Sequence, residues 1–499
     1  MIAIYYLAFT SGFISLAEEI LWTRLFSFSK HALPQTFAFV LMFFLLGIAM
    51  GALAGKKITM SNKNLWEMCG FIFLSVGIIT LTTPWIYSTI QDNPLQTPLG
   101  GILIALTSFS IATIFPIAHH LGTISKQATL GTAISFVYAT NIIGSTLSPF
   151  LIGFVLLNYF TTQQCFFFCS AYACLFGIYC FKKEKYRSKE LFFLTLPCFI
   201  ILSLFILLPP SQLMMNIASP VGEIRKIIEN AYGIITIYKT EKNNDIIFGN
   251  NVYDGQTNLD PLSNSNHVNR VIILSALHEN PEQVLVIGLS IGTWLKLITS
   301  FPEVKHIDVI EINPGYLKAI KEYPLQKEAL LDPRVDIIIA DGRKWLKHHP
   351  QNQYDLIIMN TTYHWRAYTS SLLSKNFLNL LKNHIRPKGI IAYNTTGSLE
   401  AFKTSTTLSP HAYLYENFVI ISDFDWRQKL QESAAPKKLS SLKLDEKPLF
   451  PEGSNRVIKS FLNSPIKSSN DFTNFDSLEV VTDENLITEF KYGKNLFSF

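Results

Sequence analysis

Apolar positions run almost without interruption through the first 210 residues, broken only by short polar clusters. Seven stretches are long enough to cross a bilayer, at about 3–28, 34–55, 66–89, 98–118, 129–157, 161–180 and 190–208. A span takes about twenty mostly apolar residues. The pattern predicts an α-helical polytopic membrane domain over 1–210. From about Ser211 the pattern changes to short apolar runs separated by polar turns. Gly233–Tyr238 and Ile246–Phe248, with a polar turn at Lys242–Asp245 between them, predict a small hairpin. A linker and small β region is thus expected over 211–265. Strands are then expected at 284–287, 307–310, 335–339, 354–359 and 390–393. Helices are expected at about 266–278, 293–299, 314–321, 343–348 and 374–384. Such alternation predicts an α/β domain over 266–430, with a doubly wound, mostly parallel sheet covered on both faces. After Ser398 the pattern decays, and 433–455 reads as a linker or surface loop within a C-terminal tail, 431–499.

Charge sharpens the first half. The 499 residues are 48% hydrophobic and 16% charged, with a net charge of +5. Lys56, Lys57, Lys63, Lys126, Lys182, Lys183, Lys185, Arg187 and Lys189 fall in loops on one face if all seven stretches cross, whereas the other face has Lys30. The excess is therefore a topology signal, not an affinity for nucleic acid. A multi-pass membrane protein is expected, with the lipid bilayer as a partner. An odd number of spans would put the second half outside. The first stretch has no basic region ahead of it and is read as a retained span. Its Glu18, Glu19 and Arg24 point either to a functional interior or to an internal ion pair. Gly47, Gly51 and Gly55, and Asn141 with Gly144, mark faces for close helix approach. All six cysteines lie in this half, and Cys165 and Cys169 read as small buried hydrophobes.

Candidate chemistry sits in the second half. Val284-Leu-Val-Ile-Gly-Leu-Ser-Ile-Gly292 is an apolar run ending in a glycine turn, and Val309-Ile-Glu-Ile-Asn313 is a second run ending in an acid. This is how a doubly wound sheet builds a nucleoside pocket, with a loop from one strand and a ribose-binding carboxylate from the next. Gly288, Ser290 and Gly292 are the candidate loop, and Glu311 the candidate ribose ligand. Asp341 and Gly342 close the third strand, where an acid accepts from an adenine amino group. Tyr354–Asn360 brings a fourth strand end to the same crevice. Helix N-capping is the alternative role for Glu311 and Asp341.

At these residues the chain resembles spermidine synthase, an aminopropyltransferase, from about Tyr232 to Thr396. Leu285-Val-Ile-Gly288, Val309–Asn313, Asp332-Pro-Arg-Val335, Asp341-Gly342 and Tyr354-Asp355 stand in the family's order. Glu19–Arg24, Gly47, Gly51, Phe115-Pro116 and Asn141–Gly144 resemble the membrane region of membrane-fused members. The resemblance implies decarboxylated S-adenosylmethionine as donor, an amine as small-molecule acceptor and no metal. A homodimer through the second half is also expected. The chain departs from the family where acceptor chemistry is carried. Ile291 stands in the loop where the family has an acid. Asn360 and Tyr363 replace the two acids that end the fourth strand, and Asn264-Ser265 replaces an upstream pair. An amide does not take a proton from an amine at any useful pH. Asp254 remains in place. Tyr363, His364, Trp365 and Arg366 form either an aromatic and basic acceptor cluster with His364 as base, or a structural lid with Arg366 on a surface acid. The expected catalytic set is therefore Asn360, Tyr363, His364 and Asp254. The expectation is a membrane-bound spermidine synthase-like transferase. The alternatives are an S-adenosylmethionine-dependent methyltransferase, and a non-catalytic transporter or sensor with a ligand-binding domain.

Overall fold

The computed structural model describes the chain apart from residues 62, 92, 125–129, 241–243 and 498–499. Lys126 and half of the turn expected at Lys242–Asp245, residues 242 and 243, lie outside the described residues. The chain forms two compact units. One holds Met1–Pro220, with Glu229–Ile234 and the C-terminal end from Asn495; the other holds Val221–Ile228 and Ile235–Lys494.

The first unit is a helical bundle. Among the described residues six helices are long and apolar enough to cross a membrane: Ile2–Ser29, Gln35–Thr59, Leu65–Ser88, Gln96–Ile124, Ile134–Tyr159 and Thr162–Lys183. A further helix, Ser188–Ile206, occupies the seventh expected stretch. Two pairs pack closely because one surface is bare. A Cβ on Gly47, Gly51 or Gly55 would run into the carbonyls of Ala105, Phe109 and Thr113, one turn apart on the facing helix. Gly144 meets the Phe9 carbonyl in the same way, and Asn141 Nδ2 donates to Ala8 O at 3.0 Å. The expected internal ion pair is not formed among the described residues. Glu18 is buried and accepts from the Thr80 hydroxyl, while Arg24 donates to Thr162 Oγ1 (2.9 Å) and Asn230 O (2.7 Å). Lys30 lies in the turn after Ile2–Ser29, as expected, but is buried, with Nζ on Gln96 Oε1. Lys56, Lys57, Lys182 and Lys183 lie in last helical turns rather than loops. All six cysteines are buried and unpaired.

The second unit begins with four antiparallel strands, β1 (Glu223–Asn230), β2 (Gly233–Lys239), β3 (Ile246–Gly249) and β4 (Val252–Gln256), in sequential order. The expected hairpin is its central pair. The larger sheet holds β5 (Gln283–Ile287), β6 (His306–Glu311), β7 (Val335–Ile339), β8 (Tyr354–Met359), β9 (Ile385–Asn394), β10 (His411–Tyr415), β11 (Phe418–Ser422) and a short edge strand, Ile466–Lys467. From that edge the order runs β10, β11, β9, β8, β5, β6, β7. β9 through β7 are mutually parallel, and the remainder is antiparallel. Side chains alternate faces along a strand. Val284, Val286, Leu356 and Ile358 therefore enter one core, and Leu285, Ile287, Ile357 and Met359 the other. Both layers are dry, which is why these strands are continuously apolar.

Two expectations need correction. The decay after Ser398 is not a loss of structure: a helix at Leu399–Thr406 leads into the β10–β11 hairpin. The stretch 433–455 is not a free linker. Ala434–Ser441 is helical, and Leu439, Leu442, Leu449 and Phe450 are buried in the first core. Up to Lys494 the tail also belongs to this unit. Asp483 pairs with Arg343, and Glu489 accepts from the Tyr368 and Ser370 amides at 2.9 Å each.

Candidate functional site

The ends of β5, β6, β7 and β8 meet at the carboxyl edge of the parallel strands, where open sheets bind ligands. β5 leaves at Gly288, whose φ of +88° suits glycine and whose added Cβ would sit 2.8 Å from the Asn360 carbonyl oxygen. The loop then passes Ser290 (φ +49°) and enters its helix from Gly292 (φ +80°). Glu311, at the end of β6, is 4% exposed. Its carboxylate accepts from the Leu289 and Asn313 amides at 2.7 Å each. Burial pushes its pKa up to about 7 against the pull of these hydrogen bonds. Glu311 thus braces the glycine loop. Asp341 accepts from the Lys344 amide at 2.7 Å, so its helix-capping role is realised, and its side chain stays exposed. Gly342 lets this helix approach β5, since a Cβ there would meet Ile287 at 3.0 Å. Asp355 is structural: it accepts from the Glu282 and Gln283 amides and pairs with Arg386.

Beside the loop lies a cavity of about 450 Å³, within the usual range for small-molecule sites. Asp254, Ser290, Asn360 and Tyr363 line it together. Gly288, Gly292, Glu311, Asp341, Gly342 and His364 do not belong to that lining. His364 is held behind the wall, where its amide and Nδ1 both lie within 3.1 Å of Thr396 Oγ1. Burial holds its imidazole below the ordinary value, so it is neutral near pH 7.

The electrostatics of this cavity are unlike those of a cation site. Among the described residues Asp254 is its only lining carboxylate. Arg366 is buried and forms no ion pair among the described residues, and Asp254 is the largest opposing charge acting on its guanidinium. Arg366 Nη1 donates to Thr362 Oγ1 at 2.5 Å, and its Nε has no hydrogen-bond partner among the described residues. Burial pulls its pKa down while Asp254 and Tyr316 oppose that pull. The Tyr316 hydroxyl is pushed far up by burial, with the charges of Asp254 and Glu311 adding to the effect. A second buried cation, Arg270, lines the cavity itself with Trp294, Asn266 and Asn417. Neither Arg270 nor these three neighbours was singled out from the sequence. The available signal was a lone arginine inside the apolar run Val268–Leu274.

Comparison with known proteins gives a consistent family. Residues 271–408 match the family described as Spermine/spermidine synthase domain. A polyamine aminopropyltransferase of Prochlorococcus marinus (strain MIT 9215) is 28% identical over 203 residues, covering 38% of this chain and 70% of the relative. One from Streptococcus pneumoniae serotype 4 is 33% identical over 119 residues, covering 24% of this chain and 41% of the relative. The spermidine synthase of Thermotoga maritima aligns with 18% identity and a TM-score of 0.39, over 49% of this chain and 85% of that one. A spermidine synthase in complex with the transition state analogue AdoDATO gives 17% identity and a TM-score of 0.40, over 49% and 86%. Behind its long apolar helices, the chain carries a spermidine synthase-like domain.

Proposed function

We propose that the chain is a membrane-held transferase of the aminopropyltransferase type. It binds a sulfonium nucleoside, decarboxylated S-adenosylmethionine in the first instance, and passes an alkyl group to a small-molecule acceptor. The observation that carries the reading is Glu311. A buried carboxylate that braces the glycine loop at the carboxyl edge of a parallel sheet supports a ribose-binding role for this residue. The printed activity of the relatives supports the same reading. Gly288, Ser290 and Gly292 would border the donor's tail, and Asp341 and Gly342 its base. In the transfer, an acceptor lone pair forms the new bond to the carbon beside sulfur. The carbon–sulfur bond breaks, and its electron pair stays on sulfur in methylthioadenosine. An amine acceptor also sheds a proton, and Asp254 is the carboxylate in the lining that can take it. Calorimetry on the full chain in detergent, with the decarboxylated donor, S-adenosylmethionine and methylthioadenosine, tests the donor. Preference for the decarboxylated form supports aminopropyl transfer; preference for the intact form moves the reaction to methyl transfer. No binding of any of the three rejects the reading.

One observation favours a second reading, a nucleoside-binding domain that senses without transfer. Asn360 and Tyr363 carry no charge, and His364 stands outside the cavity lining. Nucleoside binding without donor turnover would select it.

We also infer a multi-pass protein of the bacterial inner membrane, oriented by its charges. Lys183 lies 3.6 Å from the Trp66 ring, and Asn64 bonds Glu184, so these basic turns share one end of the bundle. Residues after the helix Ser188–Ile206 meet the other end. Thr161 Oγ1 donates to Pro210 O at 2.6 Å, and the Leu213 amide donates to Gln163 Oε1 at 3.0 Å. By the positive-inside bias the basic end faces the cytoplasm. Residues 209–220 then leave the bundle on the outer side.

A further inference from the structure

The cavity beside the nucleoside loop has the wrong charge for a diamine. A dication needs carboxylates around it. Here the lining holds a single carboxylate among the described residues, Asp254, and the other fixed charge in the lining is Arg270. Arg270 is 8% exposed and sits on the short helix Asn269–Ile272, between the fully buried Val268 and Val271. Its Nε donates to His267 O and its Nη1 to Asn417 Oδ1, each at 3.0 Å. These bonds aim the planar group without neutralising it. Its Nη2 has no protein partner among the described residues, and no carboxylate lies within ion-pair distance. The nearest acid, Glu416, is turned to other groups: it accepts from Asn269 Nδ2 at 2.7 Å and lies 3.5 Å from His267 Nδ1. Trp294 covers one side, with its ring centre 5.6 Å from the guanidinium carbon. The other polar groups facing the space include the neutral amides of Asn266, Asn360 and Asn394. A buried guanidinium with an open donor edge, on which Glu416 acts only beyond ion-pair distance, is suited to a planar anion bound in a two-point fork.

We propose that this cavity takes an acceptor bearing a carboxylate, anchored by Arg270, in place of a diamine. The proposal deepens the transferase reading and rests on it for the word acceptor; the ligand class rests on Arg270 alone. It assigns Arg270 as the specificity determinant of the site. Asp254 remains in the same lining for an amino group, so a ligand with an amine at one end and a carboxylate at the other satisfies both residues.

Two probes of equal chain length decide it: 4-aminobutanoate and 1,4-diaminobutane, titrated calorimetrically into the full chain in detergent, with and without saturating methylthioadenosine. The expected result is binding of 4-aminobutanoate at least tenfold tighter than the diamine. Arg270→Gln should abolish that preference while leaving methylthioadenosine affinity within twofold, and Arg270→Lys should retain part of it. If Arg270→Gln does not fold, Asn417→Asp serves instead, because it places a carboxylate on Nη1 and should erase the preference in the same way. Equal or tighter binding of the diamine overturns the proposal. So does a preference that survives these variants, or a nucleoside-loaded protein that binds neither probe. If methylthioadenosine fails to bind, the transferase reading falls by itself. The two-probe comparison on the unloaded protein still decides the carboxylate claim, with a tenfold preference upholding it and its absence overturning it.

Discussion

Glu311 carries two opposite pH dependences. Its carboxyl is raised from 4.5 to about 7 by burial, so the fold favours the protonated form. Its contribution to stability is complete below about 4.5 and is lost as pH rises through about 7. Nucleoside binding should run the other way, because ribose hydroxyls donate to the ionised form. Methylthioadenosine affinity should hold steady above pH 7 and fall below it by up to about tenfold per unit; Glu311→Gln should flatten the profile. Calorimetry across pH 5.5–8.5 checks this. Gly288→Ala should destabilise the α/β unit by about 1–3 kcal/mol, read from thermal unfolding, because φ is positive and the Asn360 carbonyl occupies the space. The glycine loop and Glu311 were legible in the sequence because a tight turn and a strand-end acid leave local signatures. Arg270 was not. Its function comes from contacts with His267 and Asn417, and the second of these lies 147 residues away.

At the scale of elements, the parallel strands were legible because burial on both faces makes each a short, continuous apolar run. The helix Ala434–Ser441 was less so, since its apolar positions are few and spaced among lysines and serines, whereas the β10–β11 strands are the apolar runs Ala412–Tyr415 and Phe418–Ile421. What fixes that helix is distant packing, such as Leu439 and Leu449 in the first core. Capping is separable from ligand binding at Asp341. Asp341→Ala should cost about 1 kcal/mol of stability, whereas Asp341→Asn should retain the cap to within a few tenths. A change in nucleoside affinity common to both variants would then belong to the ligand. In the bundle, the glycine face of Gln35–Thr59 was visible from its four-residue repeat. Gly51→Leu should lower the melting temperature in detergent more than Gly51→Ala does, because the longer side chain is driven toward the Phe109 carbonyl.

The whole chain sorts its charge by end, and this gives a topology that cysteine labelling can read. The native cysteines are buried, so a single introduced cysteine reports alone. Glu452→Cys in the α/β unit should react with an impermeant maleimide in intact cells, and Lys185→Cys only after permeabilisation. The reverse pattern would place the α/β unit in the cytoplasm. Seven apolar stretches were evident in the sequence, but a count of spans does not fix the exit side. The bonds of Thr161 and Gln163 to residues 210 and 213 put that exit at the end of the bundle away from Lys183, and the labelling result decides which side of the membrane it faces. The central claim, transfer from a sulfonium nucleoside, is tested most directly by its common product. The full chain, given decarboxylated S-adenosylmethionine and 4-aminobutanoate, should release methylthioadenosine well above the rate of Glu311→Ala, as read by chromatography. Donor that is bound yet remains intact with this and with diamine acceptors would contradict the claim.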